Sequence, residues 1–373
     1  MPTTVGIPRE LKEDEDRVAI APSGVHVLRQ RGHRVLIEKS AGAGSGITDA
    51  EYEAAGATLA ADPDEIYGES EVVVKVKEPL PEEYDRIRQE QILFTFFHFA
   101  ASRELTKSMM ESGASCVAYE TLRDEHGKLP LLTPMSEVAG RMAVLEGAKI
   151  LERPCGGRGV LISGVPGVEP AKVVILGGGV VGLNAAQVAA GVGAQVSIFD
   201  VASERLRYLH DVLPLNVTTL YSNPFMIRKK VRQADLVIGA VLVAGAKAPL
   251  LVTRSDVAQM KAGSVILDVA VDQGGCIETC RPTTHGHPTF VEEGVVHYCV
   301  ANMPGAVART STFALTNATL PYLAALADGG LSGLSQFGEG AKQGINIHRG
   351  RVCHRGVAEA FGLQVSPLSK VPV

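Results

Sequence analysis

Residues 172–200, KVVILGGGVVGLNAAQVAAGVGAQVSIFD, constrain the fold more than any other stretch of the chain. An apolar run at 173–176 breaks into Gly177, Gly179 and Gly182. An alanine-rich helical stretch follows to Gly193, and a second apolar run closes on Asp200. This is strand, glycine turn, helix and strand. Gly177 permits the tight turn, Gly179 lets the backbone approach a pyrophosphate, and Gly182 lets the helix pack on the strand, while the helix N-terminus offers N–H groups to the phosphates. In a chain with 40 glycines the glycine pattern alone is weak. The βαβ context and an acid about 20 residues on strengthen it. The plainer alternative is a structural turn opening a buried helix. Asp200, closing the second strand, favours a free ribose 2′-hydroxyl and hence NAD over NADP. Arg205 and Arg207 nearby leave a 2′-phosphate open, and Arg205 is counted among the cofactor-binding candidates.

At 373 residues the chain exceeds what one core usually serves, so two domains are expected. A hydrophobic content of 46%, 21% charged residues and a net charge of -5 describe a globular protein without the basic footprint of a nucleic-acid binder. No apolar run approaches membrane-spanning length and MPTTVGIPRE lacks a signal-peptide core, so a cytoplasmic location is expected. Cys116, Cys155, Cys276, Cys280, Cys299 and Cys353 are scattered, which argues against a disulfide framework or a metal site.

Short apolar runs alternate with helical patterns along the whole chain, as in parallel sheets wrapped by helices. In the first half, strands are expected at 4–7, 35–38, 72–76, 92–97 and 115–118. Thr48 with Glu51 suggests a capping box, a helix opens at Ser102 and ends near Gly113, and another begins in the segment 79–83. A long helix at 135–151 leads toward the glycine turn, and the Gly- and Pro-rich segment 154–170 reads as a loop. Further strands are expected at 216–220, 236–238, 265–269 and 295–300. A second long helix runs from near Ala306 to Gly329 and Gly330. The expected architecture is α/β: two Rossmann-like, doubly wound domains joined by long helices, with a cleft between them. Residues 1–130 with 306–373 would form a discontinuous substrate domain, and 131–305 the NAD-binding domain.

Ligands of open parallel sheets bind beyond the carboxyl ends of the strands. Lys77 ends VVVKVKEP, His98 ends ILFTFFHFA and Asp272 ends VILDVAVDQGG. Lys75 and Lys77 share strand parity and should project to one face. Each has an ordinary reading too: Lys77 as a solvated strand end, His98 as a hydrogen-bonded core residue, Asp272 as a turn former before Gly274 and Gly275. Arg17, in KEDEDRVAI, looks locally like one charge in an acidic loop.

GIPRELKEDEDRVAIAPSGV, VVVKVKEP, ILFTFFHFA, LPLLTPMSEVAGRMA, GGRGVLISGVPGVEP, LGGGVVG, ADLVIGAVLVAGAKAP, ILDVAVDQGGC, RPTTHGHPTF and CVANMPGAVARTST together resemble the L-alanine dehydrogenase family, in order and from Gly6 to about Asp328. NIHRGRVCHRGVAEAFGL resembles that family's ending. The resemblance implies reversible NAD-dependent oxidative deamination of L-alanine to pyruvate and ammonium, and a homo-oligomer, commonly a hexamer. It implies that Arg17 grips the substrate carboxylate and Lys77 its oxygen, that His98 is the acid/base and that Asp272 assists water and proton transfer. Ser136, Asp200, Asn302 and Met303 would contact the cofactor.

These residue types suit that chemistry. Arginine binds a carboxylate through two parallel hydrogen bonds, and a proton carrier near neutrality serves carbinolamine formation and collapse. Two other readings are kept: the soluble NAD-binding component of a transhydrogenase, and a catalytically silent NAD-binding sensor. The intact set Arg17, Lys77, His98 and Asp272 argues against both.

Overall fold

The computed structural model describes residues 2–241, 248–271 and 274–368. The chain divides into two compact units, Met1–Met135 with Gly305–Val373, and Ser136–Pro304.

Fifteen strands are used below. They are β1 (Thr4–Ile7), β2 (Arg34–Glu38), β3 (Thr58–Ala60), β4 (Val72–Val74), β5 (Ile92–Thr95), β6 (Ser115–Ala118), β7 (Lys172–Leu176), β8 (Gln195–Asp200), β9 (Val217–Tyr221), β10 (Leu236–Gly239), β11 (Val265–Asp268), β12 (Thr289–Glu292), β13 (Val295–Tyr298), β14 (Ile345–His348) and β15 (Arg351–Val352). The first unit holds an eight-stranded sheet in the order β15-β14-β6-β5-β4-β1-β2-β3, and the second a seven-stranded sheet in the order β12-β13-β11-β10-β7-β8-β9. Read from β3 to β6 and from β9 to β13, both follow the parallel doubly wound order, which reverses beside the first strand of each unit. Antiparallel strands extend only the far edges: β14 on β6, β15 on β14, and β12 on β13.

Each sheet has its own core. Leu93, Phe97, Phe99, Met109, Cys116 and Ile347 cluster in the first unit. Val174, Leu176, Phe199, Val237 and Ile266 cluster in the second. The central strands are buried along their length, which accounts for their unbroken Val/Ile/Leu runs. The capping box at Thr48 is formed, with Glu51 accepting the Thr48 N–H at 2.7 Å and Thr48 accepting the Glu51 N–H at 3.2 Å. Ser102 caps the helix Arg103–Ser112, which Gly113 ends in the left-handed region. Long helices occupy Thr133–Ile150 and Ala308–Gly329, the latter entered through a 3-10 turn at Met303–Val307.

Four strands end earlier than expected: β11 at Asp268 instead of Val269, β13 at Tyr298 instead of Val300, and, in the first unit, β4 at Val74 instead of Val76 and β5 at Thr95 instead of Phe97. In the first unit the Lys75 N–H still donates to the Phe94 carbonyl at 3.1 Å and the Phe96 N–H to the Val76 carbonyl at 3.3 Å, and side-chain carboxylates take N–H groups around and beyond these last bonds. Glu10 accepts from Val76 at 2.6 Å and Lys77 at 3.3 Å, and Glu120 from His98 at 2.7 Å. The parity argument for Lys75 and Lys77 therefore fails, because neither residue lies in the strand.

Candidate active site

Two of the singled-out residues lie just beyond the carboxyl ends of neighbouring strands in the first unit, Lys77 after β4 and His98 after β5; Arg17 stands in the irregular segment that follows β1, near enough to Lys77 for its charge to act on it. Arg17 is not a solvated loop charge. It is 2% exposed, and Glu15 holds it side-on, accepting from Nε at 2.6 Å and Nη2 at 2.5 Å. Its Nη1 donates to the Met135 sulfur at 3.0 Å. Glu15 occupies the Nε–Nη2 edge and so fixes the plane of the guanidinium, the geometry in which an arginine meets a carboxylate through parallel hydrogen bonds.

Lys77 is half-buried. Burial, then the positive charge of Arg17, push its pKa below the ordinary lysine value, with Glu15 acting in the opposite sense. Its carbonyl accepts the Thr95 hydroxyl at 2.9 Å, tying the two strand ends together. Lys75 behaves differently. It is 1% exposed and lies 2.8 Å from Glu83 and 3.4 Å from Glu10. Burial opposes its charge, but Glu10 and Glu83 outweigh that and raise its pKa. One cation serves two carboxylates, so Glu10, the more distant, is itself pushed up by burial. Tyr67 donates to Glu83 at 2.8 Å, and Glu83 also accepts the Leu80 N–H at 2.8 Å. Lys75 thus braces the loop on which Lys77 stands.

His98 is half-buried and adopts φ 52° and ψ 38°, in the left-handed region. Its ring lies parallel to Phe96 at 5.9 Å. Phe97 and Phe99, stacked on each other at 4.4 Å, anchor the turn in the core on either side. Among the described residues no hydrogen bond joins His98 to Arg17 or Lys77. Asp272 lies outside the described residues. Asp268, 1% exposed, accepts the Ala270 N–H at 3.1 Å and the Cys276 N–H at 2.8 Å.

In the second unit the glycine turn joins β7 to the helix Val180–Gly191. Gly177 has φ 104°, and a Cβ there would meet the Ala240 carbonyl oxygen at 2.6 Å; at Gly182 it would lie 1.9 Å from the Gly177 carbonyl oxygen. Those two glycines are demanded by the fold. Among the described residues, a Cβ at Gly179 would meet nothing within 4 Å, and no side chain caps the helix that begins there. Open space beside an uncapped helix N-terminus fits a pyrophosphate group. Asp200 accepts the Gly178 N–H at 2.9 Å and the Ala202 N–H at 2.9 Å, which fixes its carboxylate beside the turn. Arg205 donates to the Gly178 carbonyl at 2.5 Å and the Gly179 carbonyl at 3.3 Å, and its guanidinium lies 4.8 Å from the Tyr208 ring. Ser136 is half-buried in the first turns of Thr133–Ile150; Asn302 takes φ 67°, its carbonyl 3.3 Å from His285 Nε2, and Met303 is buried.

Glu10, Glu15, Glu83, Glu120 and Asp268 were not singled out from the sequence. Their only signal is position: Glu10, Glu15 and Glu120 lie in loops beside strand ends, Glu83 in the short helix Pro81–Tyr84 that follows β4, and Asp268 at the end of β11, places where acids ordinarily face solvent.

The family models of the alanine dehydrogenase/PNT N-terminal and C-terminal domains match residues 6–139 and 143–355. The chain belongs to the alanine dehydrogenase/PNT family. Alanine dehydrogenase from Halomonas elongata is 53% identical over 96% of this chain and 97% of its own length, and that from Bacillus subtilis 52% over 98% and 97%. A solved L-alanine dehydrogenase superposes with a TM-score of 0.93 at 52% identity, over 96% of this chain and 99% of that one. A transhydrogenase structure from Sinorhizobium meliloti gives 0.81 at 26% identity, over 94% and 99%. Among the described residues of this family member no helix is long and apolar enough to cross a membrane.

Proposed function

We propose that the protein is an L-alanine dehydrogenase, catalysing the NAD-dependent oxidative deamination of L-alanine to pyruvate and ammonium and the reverse reaction. The observation that carries this reading is the buried Glu15–Arg17 pair with Lys77 just beyond a strand end of a doubly wound sheet, in a chain about half identical to alanine dehydrogenases over nearly its whole length.

Arg17 binds the substrate carboxylate, while Glu15 keeps the guanidinium plane from rotating. Lys77 stabilises negative charge on the substrate oxygen as the carbonyl forms and re-forms; its partly desolvated cation acts more strongly than an exposed one would. When bound, NAD would supply the hydride acceptor that lets the substrate amine be oxidised to an iminium. Water adds to the iminium carbon and loses a proton; the carbinolamine nitrogen then gains one, and ammonia departs as the hydroxyl gives up its proton and the carbonyl forms. His98 and Asp272 carry those protons.

Gly177, Gly179 and Gly182 form the pyrophosphate cradle, and Asp200 receives the ribose hydroxyls. Arg205 braces the turn, and Ser136, Asn302 and Met303 complete the cofactor contacts. Residues 1–130 with 306–373 form the substrate domain of this reading, and 131–305 the NAD-binding domain. A cytoplasmic homohexamer is part of it. A transhydrogenase component or a silent NAD sensor needs no carboxylate grip, and the buried Arg17 supports neither. The test is NADH formation on adding L-alanine and NAD to the purified protein. Failure to form NADH, with NAD still bound, would overturn the assignment.

A further inference from the structure

We infer that Glu120 is a positioning residue for the reaction, setting the location of the His98 imidazole through the backbone; this rests on the reading of His98 as a proton carrier. Glu120 lies just beyond β6, next to the turn that follows β5. One of its oxygens accepts the His98 N–H at 2.7 Å, and both lie 3.3 Å from the Phe97 nitrogen as acceptors of that N–H.

Consecutive N–H groups of an extended strand point to opposite edges, so one carboxylate cannot accept both while the strand continues. The grip of Glu120 on Phe97 and His98 therefore requires the chain to leave the strand. It does so at once: β5 ends at Thr95, and His98 takes φ 52° and ψ 38°, a conformation that a residue bearing a Cβ holds only when its surroundings enforce it. Phe97 and Phe99 anchor the flanks through apolar contact but cannot accept a hydrogen bond from either nitrogen. The direction in which the imidazole leaves the backbone follows from the φ and ψ that Glu120 selects. Glu10 acts on the neighbouring strand end in the same manner, accepting from Val76 and Lys77.

A role confined to general stability and a role through His98 separate in a double-mutant cycle. Turnover and KM for pyruvate amination, NADH affinity and melting temperature are measured for Glu120→Ala, Glu120→Gln, His98→Ala and the two double variants. Glu120→Ala is expected to lower kcat about ten- to a hundredfold, with NADH affinity unchanged. Glu120→Gln, which keeps one acceptor oxygen, should lose less. In the His98→Ala background either change should cost less than about threefold further. Wild-type kcat in Glu120→Ala would overturn the inference. So would a loss that multiplies fully in the double variant, the outcome expected if Glu120 acted instead through His354, which also feels its charge. Should Glu120→Ala fail to fold, the Glu120→Gln cycle decides by the same criteria. If His98→Ala itself keeps normal turnover, the assignment of His98 fails, an outcome distinct from failure of Glu120 alone.

Discussion

Glu15 and Arg17 face each other as a buried, side-on ion pair, with Nε to Oε1 at 2.6 Å and Nη2 to Oε2 at 2.5 Å. A lysine at position 17 would present one ammonium to Glu15 and nothing planar to a second carboxylate. Arg17→Lys is accordingly expected to raise KM for alanine and pyruvate by on the order of tens-fold or more, with a smaller effect on kcat. Steady-state kinetics in both directions check this; unchanged KM values refute it.

His98→Ala and Asp272→Asn should lower turnover by roughly a hundredfold or more while leaving NADH binding intact, since both are assigned to proton transfer and neither to the cofactor. Near-normal turnover in both variants would return them to structural roles.

Asp200 holds its carboxylate against the glycine turn through the Gly178 N–H. A 2′-phosphate there would meet like charge, so kcat/KM with NADP should fall below that with NAD by about tenfold or more. Asp200→Asn should narrow the gap. Comparable efficiency with both cofactors in the unsubstituted enzyme would reject the NAD assignment.

Burial, then Arg17, lower the pKa of Lys77. Between that lowered value and the ordinary value of about 10.4 the unfolded chain binds more protons than the native one, so this group makes stability rise with pH across the window. Lys77→Met should therefore melt above the unsubstituted protein at neutral pH, with the advantage shrinking as pH climbs through the window. In the unsubstituted enzyme, KM for pyruvate should rise over the same range as the cation is lost. Parallel melting curves at every pH would disprove the first expectation.

Lys75 lies between Glu83 and Glu10, all of them buried. Lys75→Met would strand two carboxylates and should destabilise the protein by about 3–5 kcal/mol at neutral pH. Urea unfolding measures it, and the deficit should shrink toward pH 5 as the carboxylates take up protons. A loss under about 1 kcal/mol would mean that the cluster relaxes into water.

The glycine turn, the strands around it and the doubly wound class were legible in the sequence because their causes are local. Only glycine accommodates φ 104° at Gly177 beneath the Ala240 carbonyl, and strands covered on both faces read as apolar runs. His98 and Lys77 were legible as polar residues closing such runs. Arg17 was not: without the family resemblance KEDEDRVAI looks solvated, because the contacts that make its arginine special come from Glu15 by side-chain geometry and from Met135, far along the chain. Lys75 and Lys77 sit in one short motif, and only Glu83 and Glu10, brought in by the fold, make the first a buried brace and leave the second with a depressed pKa beside Arg17. The early ends of β4 and β5 have the same origin. Strand propensity favoured continuing through Val76 and Phe97, but carboxylates arriving from other loops captured the backbone N–H groups. Local spacing determines which residues stand at a sheet's edge; which of them are held, charged or turned depends on partners that only the tertiary structure delivers.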